Sequence, residues 1–256
     1  MIASLGMYDP GPLHAANDRF WAGIRAGLRV RGVATPKTLT RGAGAYWDAW
    51  QAPDLVLSQT CGFPYRTRLH GKVTLIGTPD YGLDGCPPGY YRSVFVARHD
   101  DLRAELAAFS GARFAFNEPL SQSGWAAPQA YAAGVGVHLP PAVQTGAHHS
   151  SALAVADGQA DLAAIDALTW ELLTEHEPFT VGLKVVGYTN PTPGLPYIAA
   201  LGADQTSTFA AVAQAIAGLS DADRGLLHLR GIVAIAAADY LAVPIPLAPE
   251  AIAPAM

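Results

Sequence analysis

Lysine is nearly missing from this sequence: Lys37, Lys72 and Lys184 stand far apart in a chain with a formal net charge of -5. Without a basic patch there is nothing to neutralise a phosphate backbone, so no nucleic-acid partner is expected. Cysteine is just as scarce. Cys61 and Cys86 are too few for a disulfide scaffold and lack metal-ligand spacing, and the sequence leaves open whether they pair or stay as buried thiols. No apolar run approaches the length of a membrane span, because Gly, Pro or a charge interrupts each one. Like-charge blocks and internal repeats are lacking too, and the only biased stretch is a Pro/Ala-rich end after Val243, expected to be loosely held. A leader with a basic start and an apolar middle is not seen: Met1 runs directly into an expected strand, Ile2 to Met7, and a turn, Tyr8 to Pro12. That favours a cytoplasmic chain unless an export signal has been trimmed. The 256 residues, 50% of them hydrophobic, suffice for one large domain or two modest ones.

The most informative stretch is Asn117 to Trp125, NEPLSQSGW. It runs from an apolar strand, Ala112 to Phe116, into a helix whose first turn carries Ser121, Gln122 and Ser123. A helix start exposes backbone N–H groups without internal partners, and the summed peptide dipoles place partial positive charge there. Small side chains let an oxyanion approach those donors, and serine hydroxyls add more. A single serine would be an ordinary N-cap. The S-Q-S-G cluster exceeds what capping needs and reads as an anion cradle that requires no lysine.

A second strand-to-helix junction repeats this logic. Ala142 to Gln144 is a short strand, Thr145 to Ser151 opens a helix, and Asp157-Gly158 ends it. Asp161 to Ile165 is then a buried strand with Asp166 at its carboxyl end. One β-α-β unit thereby presents Gly146 and His148 at a helix start and Asp166 at a strand end, the edge where open α/β sheets bind ligands. An unperturbed His148 titrates near neutrality and offers a ring nitrogen to an anion, although a histidine there also serves as a simple turn cap.

Strands and helices alternate along the chain, which predicts an α/β fold with mainly parallel pairing. His14 to Val30 is a helix with Phe20, Ile24 and Leu28 on one face. Leu55 to Ser58 is a buried strand that delivers Gln59 and Thr60 to a loop at its carboxyl end, and Tyr8 sits in the loop after the first strand. Tyr90 to Ala97 reads as one long strand. The expected organisation is two lobes: residues 1–92 with 193–256, and residues 93–192 carrying both anion-binding helix starts. Two crossings make a hinge, and the Pro/Gly-rich stretch at Pro191 to Gly194 punctuates the second. The site residues expected in an interlobe cleft are Tyr8, Gln59, Thr60, Ser121, Gln122, Ser123, His148 and Asp166.

LVLSQTCGFPY, FNEPLSQSGW, TGAHHSSALAVADGQADLAAIDALTW and TPGLPYIAA, in this order and spacing, resemble the phosphate/phosphite/phosphonate-binding family of ABC-transporter solute-binding proteins. The likeness covers nearly the whole chain. It implies the two-lobed type II periplasmic-binding-protein architecture, two mixed, mainly parallel sheets flanked by helices with the ligand between the lobes. It also implies capture of a small oxyanion of the phosphonate, phosphate or phosphite class by hinge closure, a periplasmic location, an ABC permease as partner, no cofactor or metal, and a monomer. Ser121, Gln122 and Ser123 correspond to the anion-holding helix start, and His148 to the motif's histidine. Phosphonate binders often carry three hydroxyl residues in a row at that helix, whereas this chain has Gln122 in the middle.

Two other functions use the same architecture: a cytosolic ligand sensor, and an enzyme like the thiamine-precursor synthases. For catalysis, Ser121 or Ser123 would need His148 as base and Asp166 as the group orienting it. No G-x-S-x-G elbow occurs, and serines already donating to an anion are poor nucleophiles. A binder that closes by hinge motion predicts a smaller radius of gyration in small-angle scattering at saturating ligand. Identical profiles with and without ligand would contradict the hinge.

Overall fold

A computed structural model describes residues 1–252. The chain folds as two compact units, Met1–Tyr90 with Pro193–Leu241, and Tyr91–Thr192 with the segment from Ala242 onward. The tail was expected with the first lobe, but its described part belongs to the second unit; residues 253–256 of that expected boundary lie outside the described residues. The reason is a specific anchor: the buried Trp125 indole donates to the Leu247 carbonyl at 3.0 Å, and Pro249 is buried.

The first unit is built on a sheet in the order Ile2–Ser4, Leu55–Gln59, Tyr197–Ala200, Val73–Asp80, Gly231–Val233. Its core includes Leu57, Ile76 and Ile198. Helix His14–Val30 covers it, burying Phe20, Trp21, Ile24 and Leu28, a 3.6-residue stripe. The helix lies close against Gln205–Ala217 because both carry small residues one turn apart. A Cβ placed on Gly23 would sit 3.2 Å from Ala215 Cβ, and one on Gly27 would sit 3.2 Å from Ala211 Cβ. A side chain at either position would press on its neighbour by a few tenths of an ångström.

The second unit has the sheet order Pro141–Gln144, Phe114–Phe116, Leu162–Asp166, Ser93–Arg98, Leu183–Tyr188. Phe95, Val96, Ala97 and Ala163 to Ile165 are fully buried, which explains their unbroken apolar runs. Pro141–Gln144, Phe114–Phe116 and Leu162–Asp166 run parallel, so their carboxyl ends and the helix starts that follow collect on one edge.

The sheets are mixed, but antiparallel pairings outnumber parallel ones, against the expectation of mainly parallel sheets. Tyr197–Ala200 and Ser93–Arg98 are the cause. Each enters its sheet at the edge where the parallel strands end, with Tyr197 opposite Gln59 and Ser93 opposite Asp166, and so runs against them. The long strand expected from Tyr90 to Ala97 breaks at Arg92 for a related reason. Tyr90–Tyr91 forms a two-stranded ribbon with Thr192–Pro193, and Ser93–Arg98 joins the large sheet. No disulfide joins Cys61, which is buried, to Cys86, which is partly so.

Replacing Trp125 with Phe removes the donor to Leu247 and leaves a void in a fully buried position. The expected loss is about 1–3 kcal/mol, read as a lower midpoint in urea unfolding. An unchanged midpoint would contradict the anchoring role of the indole.

Candidate functional site

In the second unit the two strand-to-helix junctions are stitched together by their backbones. Thr145 N donates to Phe116 O and Gly146 N to Asn117 O, both at 2.9 Å. The Thr145 hydroxyl adds a bond to Phe116 O at 3.2 Å and one to Ser151 Oγ at 2.6 Å. The helix expected to open at Thr145 starts instead at His148, and the preceding residues form this seam.

The first helix start is Ser121. Its hydroxyl oxygen accepts from Gly124 N at 3.0 Å, so it is a true N-cap, and its own proton remains available to donate. The turn that follows, Gln122–Ala126, is of the wide π type, with Ala126 N bonded to Ser121 O at 2.9 Å. A Cβ on Gly124 would lie 1.9 Å from the Asn117 side-chain oxygen, so a larger residue here would displace that side chain. Gln122, buried, turns its amide toward Thr192 Oγ1 at 3.4 Å.

Ser123 and His148 meet. Ser123 Oγ lies 2.8 Å from His148 Nε2, joining the two helix starts through side chains. The Ser123 carbonyl accepts the Ser93 hydroxyl at 2.8 Å, and Ser93 N donates to Thr189 Oγ1 at 2.9 Å. Asp166, almost fully buried, caps the next helix by accepting from Thr169 N at 2.9 Å. Ser93 is its register partner across the sheet. Ser93, Thr189 and Thr192 are thus structural supports of the site that the sequence analysis missed. Their signal is weak, since isolated hydroxyls at strand ends are common.

His148 is not the near-neutral titrating group expected from its sequence position. Burial pushes it down to about 4, with the Ala164 backbone offsetting part of the effect, so the imidazole is uncharged at neutral pH. Its Nδ1 makes no well-aligned hydrogen bond, and the Ala164 backbone is the polar group that acts on the ring. A Ser–His–Asp relay would need a carboxylate at that nitrogen, and Asp166 does not supply it.

The other expected residues lie in the first unit. Tyr8 closes a short 3-10 turn, its carbonyl held by Asn17 Nδ2 at 2.9 Å, and its ring meets Tyr81 edge-on at 5.2 Å between centroids. Gln59 donates its side-chain amide to Tyr81 Oη at 3.0 Å and to Leu195 O at 3.1 Å. Tyr8, Gln59, Tyr81 and Tyr197 line a cavity of about 20 Å³, room for a single water. Thr60 is fully buried; its N–H bonds Pro196 O at 3.0 Å, while its hydroxyl has no hydrogen-bond partner. Gln59 is therefore turned inward, against the expectation that it projects into an open loop. The cause is the antiparallel insertion of Tyr197–Ala200, which brings Leu195 and Pro196 against the end of Leu55–Gln59. Among the described residues no group of three or more His, Cys, Asp or Glu is placed to hold a metal, and no helix is long and apolar enough to cross a membrane.

Solved structures share this fold. PhnD1 from Prochlorococcus marinus, in complex with methylphosphonate, matches with a TM-score of 0.66 at 17% identity over 93% of each chain. A binding-protein component of a phosphonate ABC transporter from Pseudomonas aeruginosa matches with a TM-score of 0.68 at 18% identity, over 94% of this chain and 82% of that one. A Xanthomonas citri protein bound to a chloride ion matches with a TM-score of 0.67 at 14% identity, over 93% of this chain and 92% of that one. A comparison with curated protein sequences gives no match. The architecture is that of the type II periplasmic binding proteins. A family model described as "ABC transporter, phosphonate, periplasmic substrate-binding protein" matches residues 54–241, well over half of the sequence. The chain belongs to this phosphonate-binding family of ABC-transporter substrate-binding proteins.

The depressed pKa of His148 gives stability a defined pH dependence. The unfolded chain takes up a proton near the ordinary value of 6.5, whereas the folded protein resists protonation down to about 4. Stability is therefore full above the unfolded value and is lost as pH falls through that window. Denaturant titrations from pH 7 to pH 4 are expected to show this decline, with a shallower one for His148→Gln. Equal slopes would mean that His148 is not held neutral.

Proposed function

We propose that this protein captures a small tetrahedral oxyanion of the phosphonate, phosphate or phosphite class and delivers it to an ABC permease. The observation that carries this reading is the 2.8 Å contact between Ser123 and His148, which gathers two helix starts at one sheet edge. Dipoles directed at one point replace the water around a negative oxygen without a formal cation. Ser121 and Ser123 supply hydroxyl donors, and the turn they begin supplies backbone N–H groups. Asp166 meets a proton or an amine on the ligand. In the first unit, Tyr8 and Gln59 border the small tyrosine-lined cavity. The methylphosphonate complex of PhnD1, a protein of the same fold, supports the ligand class. Membership of a transporter-binding family argues for binding without turnover.

Calorimetry with methylphosphonate and inorganic phosphate tests the assignment. Ser121→Ala, Ser123→Ala and His148→Ala are each expected to weaken binding by about 1–3 kcal/mol, the cost of an under-bonded buried charge. Unchanged affinity in all three would remove the site from this edge.

A further inference from the structure

The turn that begins at Ser121 is wider than an α-turn, and the wide form is rare without outside support. In an α-helix the Ser121 carbonyl would take the N–H of Trp125. Here it takes that of Ala126 at 2.9 Å, and Ala127 N closes on the Gln122 carbonyl. The Trp125 N–H is thereby released from that carbonyl, one donor more than an ordinary helix start leaves outside its ladder. We propose that the C-terminal tail, from Ala242 to Ile252, is a positioning element of the oxyanion site: its Leu247 carbonyl holds the Trp125 indole and so keeps this turn wide. The inference rests on the oxyanion reading and deepens it, because it gives the site a support 122 residues further along the chain.

Trp125 acts on the turn directly. It follows Gly124 and stands two residues after Ser123, so a shift of its ring shifts the donors beside it. The ring is completely buried and tilted against Phe116 and Phe114, with centroids 4.8 Å and 6.5 Å away, on the strand that feeds the turn. Those contacts are apolar and leave the ring free to slide. Its N–H is different: a buried donor has to find an acceptor, and the acceptor is Leu247 O at 3.0 Å. The tail, for its part, gains little by burying its own aliphatic groups. Ile245 and Leu247 stay 66% and 64% exposed, whereas Pro249, two residues on, is buried. Pro244, Pro246 and Pro249 restrict the segment before it docks, which lowers the entropy lost on docking. The start of the turn is already fixed from the other side, by Ser93 on the Ser123 carbonyl at 2.8 Å and by Ser121 Oγ on Gly124 N at 3.0 Å. The tail fixes its far end.

A double-mutant cycle in the full chain tests this. Trp125→Phe keeps a ring but removes the donor, and Pro249→Asp drives the tail off by putting a charge where a buried proline stood. Methylphosphonate and inorganic phosphate are titrated well below the unfolding midpoint. Each single variant is expected to lose roughly tenfold in affinity, about 1.4 kcal/mol, and the double variant to lose no more than the weaker-binding single one. Full affinity in Trp125→Phe overturns the proposal, whether or not Pro249→Asp folds. Losses that multiply overturn it too, since the tail would then act other than through the indole. Hydrogen exchange without ligand separates positioning from general stability. In both variants the amides of Ala126 and Ala127, which close the wide turn, are expected to exchange faster, while Ala163 to Ile165 in the sheet keep their rates. Equal acceleration at both places would make the tail a stabiliser only and overturn the positioning role. Failure of the unaltered protein to bind either probe overturns the oxyanion reading, and this inference with it, whereas full affinity in Trp125→Phe overturns the inference alone.

Discussion

The candidate site depends on a backbone seam. Thr145 and Gly146 donate to Phe116 and Asn117, locking the end of one parallel strand to the end of its neighbour. Parallel strands followed by helices put helix starts on a common edge, but adjacency alone leaves them free to splay. The seam removes that freedom. Ser123 and His148, far apart in sequence, then fall within hydrogen-bond distance.

Neutrality is the second constraint. Every hydroxyl and amide assigned to the anion is uncharged, and the one ionisable donor, His148, is held neutral by burial. A cation buried at this edge would itself have to be desolvated when no ligand is present. Dipoles avoid that cost because their own hydrogen bonds already fix them: Gly124 on Ser121 and Ser93 on Ser123. The scarcity of lysine noted in the sequence is consistent with a protein that binds negative charge with oriented backbone and hydroxyl groups.

Parts of this were legible from the residues in order. The stripe of Phe20, Ile24 and Leu28 placed the first helix, and both strand-to-helix junctions showed in their punctuation. Serines and glycine interrupt one apolar run, and Thr-Gly-Ala-His interrupts the other. Ser93 was not legible, because its role arises from standing opposite Asp166 in an antiparallel register. Gln59 was misjudged in direction for a similar reason, since its partners Tyr81 and Leu195 are distant in sequence. The described part of the tail after Leu241 was expected with the first lobe, because the second chain crossing was taken as the last, and it belongs instead to the second unit. One carbonyl, Leu247, finds the indole of Trp125.

The sequence by itself determined which segments become helices and strands, where helix starts present unpaired N–H groups, and which family the motifs resemble. These follow from local periodicity and from the capping chemistry of Ser, Asp and Gly, which neighbours in the chain suffice to express. Only the tertiary structure decided the predominance of antiparallel pairing in the sheets, the inward turn of Gln59, the neutrality of His148 and its pairing with Ser123. Each of these is a long-range matter of register, burial or distance, set when segments remote in sequence exclude water together.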